Sequence, residues 1–157
     1  MPAAPPQPGW LPRWWPVLVW AIIISLFSTG AFTSDNTASF FIPILHRLLP
    51  KASYPVLFRI HHYIRKCSHF TEYFVFSLLI LRAIRGGRHS TRLAWALAAI
   101  GIVAAYAALD EFHQSFVPGR TAAVTDVLID TTGGAAAQAI AALVLLWGHV
   151  RGRQKSA

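Results

Sequence analysis

Charge is scarce in this sequence. Only 13% of its 157 residues are charged, roughly half the share usual in a soluble domain. With 55% of residues apolar, a disordered chain and a collagen-like repeat are both excluded. A single cysteine, Cys67, rules out an internal disulfide and leaves the redox compartment unread. The chain has no internal repeat, no G-x-S-x-G elbow, no H-E-x-x-H zinc motif and no P-S-G-H-type phosphatase block. What charge there is has one dominant sign, giving a net +8. In a soluble protein that excess would suggest nucleic acid. Here the basic residues cluster between long apolar runs, as they do in membrane proteins, so no nucleic-acid partner is expected.

The length fits one domain. Residues 1–13 are rich in proline and read as a disordered N-terminus. Trp14–Phe32 is long enough to cross a bilayer, with Trp10, Trp14 and Trp15 forming an interfacial belt at its start. A cleaved signal peptide is the rival reading of this segment, with Arg13 as its charged region. In the following connection Phe40, Phe41, Ile44, Leu45, Leu48 and Leu49 recur at helical spacing, with Ser39 as a cap and Pro50 as a stop. This predicts a short helix that either lies on the membrane surface or caps the bundle. Pro55 opens a second span reaching Leu81, and a basic turn holds Arg82, Arg85, Arg88 and Arg92. A third span runs from Leu93 to about Leu109 and a fourth from Val124 to Trp147, before a basic tail over residues 151–157. The expected fold is an all-α membrane protein: a four-helix transmembrane bundle with a short interfacial helix in the first outer loop. The basic count is higher on the side of both termini and the Arg82–Arg92 turn, which predicts cytoplasmic termini.

The acids carry the functional signal. Of six, only Asp35 lies in the first outer loop; Glu72, Asp110, Glu111, Asp126 and Asp130 fall within, or at the outer ends of, the last three spans. Ionisable groups at such depth are costly and default to a functional reading. Counting about 1.5 Å per residue, Glu72 lies about 15 Å above Arg82, near the middle of the hydrocarbon core. His62, Lys66, His69, Glu72 and Tyr73 share one helical face about 120° wide. Asp126, Asp130, Gly133, Ala137 and Ala141 share a stripe about 80° wide on the last span. Both faces can turn to one bundle interior. Taken singly, Lys66 can snorkel to headgroups, His61 and His62 read as interfacial decoration, Asp110-Glu111 can end a helix in water, and Asp126 can answer a helix dipole. Glu72 has no such explanation. Pro118-Gly119 forms a turn able to throw Arg120 back over the acids. Five acids against Lys66 and Arg120 require either carboxylates that share protons or a divalent cation, zinc or manganese, on His69, Glu72, Asp110 and His113.

Three blocks of sequence resemble the VanZ-like family. Lys66-Cys67-Ser68-His69-Phe70-Thr71-Glu72-Tyr73 is similar to its K-x-x-H-x-x-E/x-Y motif, and Asp110-Glu111-Phe112-His113-Gln114 followed by Pro118-Gly119-Arg120 to its D-E-x-x-Q and P-G-R. Asp126 through Gly133-Gly134 is similar to D-x-x-x-N-x-x-G, with Asp130 where the family more often has asparagine. The resemblance implies that residues 14–150 form a VanZ-like transmembrane domain in the inner membrane of a bacterium, and it adds Gln114 to the candidate site. The family is named after a protein giving low-level teicoplanin resistance, which points to a membrane lipid or lipid-linked cell-envelope precursor as partner. Two other function classes remain: a proton-linked transporter or flippase, and a structural partner of cell-wall machinery.

Overall fold

The computed structural model describes residues 9–86, 88, 92–120 and 122–154. It contains α1 (Trp10–Phe27), a 3₁₀ turn (Gly30–Phe32), α2 (Ser34–Leu48), α3 (Tyr54–Arg85), α4 (Leu93–Gln114) and α5 (Val124–Gln154), with no strand among the described residues. Four of these helices are long and apolar enough to span a bilayer: α1, α3, α4 and α5 through Gly148. The all-α expectation therefore holds, with the short fifth helix in the first connection.

Boundaries moved where side chains found partners. α1 begins at Trp10, inside the stretch expected to be disordered, of which residues 1–8 lie outside the described residues, and ends at Phe27 rather than Phe32. The expected cap of α2, Ser39, lies inside that helix; Thr33 caps it instead, accepting from the Asn36 amide at 3.3 Å. α2 buries Ala38 and Ile42 against Leu57 of α3 while Phe40 and Leu48 stay exposed, so one helix both covers the bundle and keeps an apolar outer face. α4 runs five residues past Leu109 because its polar end is internally bonded, Gln114 Nε2 donating to Asp110 Oδ2 at 2.8 Å one turn away. α5 continues past Trp147, where the Arg151 guanidinium sits 3.8 Å from the Trp147 ring centroid.

The spans alternate in direction. The Arg82 guanidinium reaches the Arg13 carbonyl at 3.4 Å, placing the start of α1 beside the end of α3. Gly86, at φ +56°, closes α3 in the left-handed conformation that glycine adopts without strain. One end of the bundle thus gathers Arg13, Arg82, Arg85, Arg88 and Arg92, and the opposite end gathers the acids. The main core joins Val17 and Ile24 of α1, Tyr73, Phe76 and Ile80 of α3, and Ala99, Val103 and Ala107 of α4. α5 is held by close approach. A Cβ at Gly133 would collide with the Phe70 carbonyl oxygen, and one at Gly134 would come within 2.8 Å of Val103 Cγ1. Below these, Ser77 Oγ donates to the Gly134 carbonyl at 3.0 Å and Gln138 Nε2 donates to Ser77 Oγ at 2.7 Å. This buried polar lock fixes the register of α3 against α5.

Candidate functional site

That register brings the two polar stripes together. The Lys66 ammonium pairs with Asp126 in the first turn of α5. One helical turn deeper, His69 Nδ1 lies 3.5 Å from Asp130 Oδ1. Asp130 is buried, and neither of its carboxylate oxygens has a hydrogen-bond partner among the described residues. The Glu72 carboxylate, a further turn down, accepts no hydrogen bond from a described side chain, although its backbone carbonyl accepts from Trp20 Nε1 at 2.9 Å.

The loop between α4 and α5 supplies the other wall. Gly119, at φ +78°, turns the chain so that Arg120 folds inward. The Arg120 Nη1 donates to Gln114 Oε1 at 3.2 Å, and Nη2 donates to the carbonyls of Phe27 and, at 3.2 Å, Thr29. It thereby satisfies carbonyls at the end of α1, where a cation is favoured by the helix dipole. Its Nε is buried without a partner. Burial, and then the nearby Arg65 charge, push the Arg120 pKa below its usual value, while Asp110, Glu111 and Glu72 pull it back up.

These groups enclose a cavity of about 250 Å³ that reaches from α1 across α3 to α4, roofed by Phe32, Thr37 and Phe41. His69, Glu72, Asp110, Gln114 and Arg120 all line it. Lys66 and Asp126 lie instead on a wider polar mouth, which shares Arg65, His69, Gln114 and Arg120 with the cavity. Asp130 stands behind His69 and does not reach either space.

Glu111 and His113, also expected in the site, fall outside as well. Glu111 Oε2 accepts from the Ala123 amide at 2.9 Å, so this carboxylate secures the N-terminus of α5. His113 is exposed: Asp110, Glu111 and Gln114 bury one side of α4, and His113 sits about 100° from its centre. With it goes the expected zinc or manganese site. Among the described residues no three His, Cys, Asp or Glu side chains converge as metal ligands. Among the described residues, His69, Glu72, Asp110 and His113 do not form one ligand set for a metal ion.

Sequence reasoning also missed residues. Arg65, counted only as an outer basic residue, lines the cavity, and its Nη1 donates to the Phe32 carbonyl and to Thr37 Oγ1, both at 3.0 Å. His61, read as interfacial decoration, is buried with Nε2 at 3.2 Å from Thr37 Oγ1. Thr37 had no sequence signal. Arg65 did: it precedes Lys66 on the same polar side of α3. The charge count changes accordingly. Within the cavity itself Glu72 and Asp110 face Arg65 and Arg120, a balance of two against two rather than five against two.

No curated protein and no solved structure matches the chain significantly. The family comparison does match, over residues 14–146 and under the description VanZ/LLP1. This range contains all three motif blocks and every residue that lines the cavity. With four candidate spans and a family match over most of its length, the chain is an integral membrane protein of the VanZ/LLP1 family.

Proposed function

We propose that this protein binds, and acts on, the phosphate-bearing headgroup of a membrane-borne cell-envelope intermediate, and that it contributes in this way to low-level glycopeptide resistance of the teicoplanin type. The observation that carries this reading is the pair of guanidiniums, Arg65 and Arg120, lining one cavity with His69, Glu72 and Asp110. Guanidinium donors suit phosphate oxygens, and both side chains line the same cavity from opposite walls. His69 and Glu72 stand one turn apart on the cavity side of α3, where they can exchange a proton with a bound headgroup. The positive-inside pattern supports cytoplasmic termini, with the cavity opening toward the outer leaflet where such intermediates are used.

The test uses detergent-purified protein and a water-soluble short-chain isoprenyl monophosphate. Saturable binding is expected, weakening with salt and falling about tenfold in Arg65→Gln or Arg120→Gln. A melting temperature measured on each sample separates loss of binding from loss of fold. No saturable binding by a folded wild-type protein overturns the reading.

A further inference from the structure

A second, apolar space runs beside the cavity along α3. It is a groove of about 630 Å³ between α1 and α3, lined by Trp20, Ile60, Tyr63, Cys67, Thr71 and Val75. Ile64, Ser68 and Glu72 line both spaces, so the polar cavity and the apolar groove are neighbours with no helix between them. From Ile60 to Val75 the groove follows α3 for about 22 Å, parallel to the span. One leaflet of hydrocarbon is about 15 Å thick. Cys67, Tyr63 and Thr71 are exposed on a helix long and apolar enough to span the bilayer, so the groove opens sideways rather than toward water.

We propose that this groove holds the hydrocarbon chain of a membrane lipid whose phosphate-bearing headgroup enters the cavity laterally between α1 and α3. The inference rests on the headgroup reading above and adds the class of molecule: a chain-bearing lipid taken directly from the bilayer. Two features select that occupant. The medium surrounding the opening is hydrocarbon, and the groove runs beside the charged cavity along Ile64, Ser68 and Glu72, offering an apolar wall for a chain next to a polar space for an ionic end. The Trp20 indole, bonded to the Glu72 carbonyl, lies at the junction where chain gives way to headgroup. The polar mouth on the α5 side, with Lys66 and Asp126, is then left open for whatever the headgroup carries.

The native thiol is the reporter. Cys67 is free, exposed and in the groove. In detergent-purified full-length protein, a long-chain polyprenyl monophosphate is expected to slow maleimide alkylation of Cys67 about tenfold, whereas a short-chain isoprenyl monophosphate binds without protecting it. Filling the groove by Thr71→Trp, or independently by Val75→Trp, is expected to weaken the long-chain lipid about tenfold and to leave short-chain binding within about twofold. Retained short-chain binding reports that each variant is folded. Long-chain binding that leaves Cys67 fully reactive and tolerates both tryptophans overturns the groove alone. Failure of both phosphates to bind the folded wild type overturns the headgroup reading, and this one with it.

Discussion

Gly133 of α5 rests against the backbone carbonyl of Phe70 on α3, leaving no room for a Cβ. Three residues toward the outer end, Asp130 meets His69; four further, Asp126 meets Lys66. Close contact at the glycine sets the helix separation that permits both pairs. Small residues are how membrane helices approach in this way, because lipid offers no hydrophobic drive to press them together.

Gly133→Ala should therefore be costly. The obstacle is backbone, which cannot rotate away, and overpacking of this kind costs about 1–3 kcal/mol. Gly134→Ala meets only the Val103 side chain and should cost less. Gly101→Ala, with nothing within 4 Å, should be neutral or slightly stabilising. Thermal unfolding in detergent ranks the three, and equal melting temperatures for Gly133→Ala and Gly101→Ala would contradict the packing argument.

Membrane orientation has its own test. In a Cys67→Ser background, Ser53→Cys before α3 should react with an impermeant thiol reagent in intact cells, and Ser90→Cys between α3 and α4 should not. The opposite pattern would put the polar cavity on the cytoplasmic side and remove it from outer-leaflet intermediates.

Glu72 is the deepest cavity acid and accepts no hydrogen bond from a described side chain, so little in the fold depends on its charge. Glu72→Gln should abolish most of any resistance phenotype while lowering the melting temperature little. Asp35→Asn, on an exposed acid in the first turn of α2, should leave both unchanged. Equal complementation by the two variants would mean that the cavity is not functional.

The spans and most of the site were legible because membrane sequences obey strong rules. Apolar runs of fixed length announce helices, and acids within them announce a site. Glu72 was found on that basis, His69 from the helical face it shares with Glu72, and Arg120 from the Pro118-Gly119 turn. What was hidden depends on facing between helices. The spacing along α4 puts His113 beside Asp110 and Gln114, but only the position of α5 decides which side of α4 is buried. Thr37 became a site residue through the docking of α2 across α3, and nothing in the local pattern of α2 encodes that docking. Glu111 carries the same acid signal as Asp110, yet its partner is a backbone amide at Ala123, and backbone donors are invisible in a list of side chains.

Asp130 offers the sharpest energetic test. Its carboxylate is buried, lacks a hydrogen-bond partner among the described residues, and faces only His69 at 3.5 Å. Removing one member of a buried charged pair leaves the other uncompensated, at a cost of about 3–5 kcal/mol. His69→Leu alone should therefore destabilise strongly. Asp130→Asn keeps the shape and removes the charge, and His69 can then stay neutral by carrying one proton fewer, so that variant should be better tolerated than His69→Leu. The double variant His69→Leu/Asp130→Asn should then be more stable than His69→Leu by about 1 kcal/mol or more, a departure from additivity diagnostic of direct coupling. Thermal unfolding of the four proteins in one detergent closes the cycle. Strict additivity would mean that the two side chains do not interact, and that His69 is held in the cavity by packing alone.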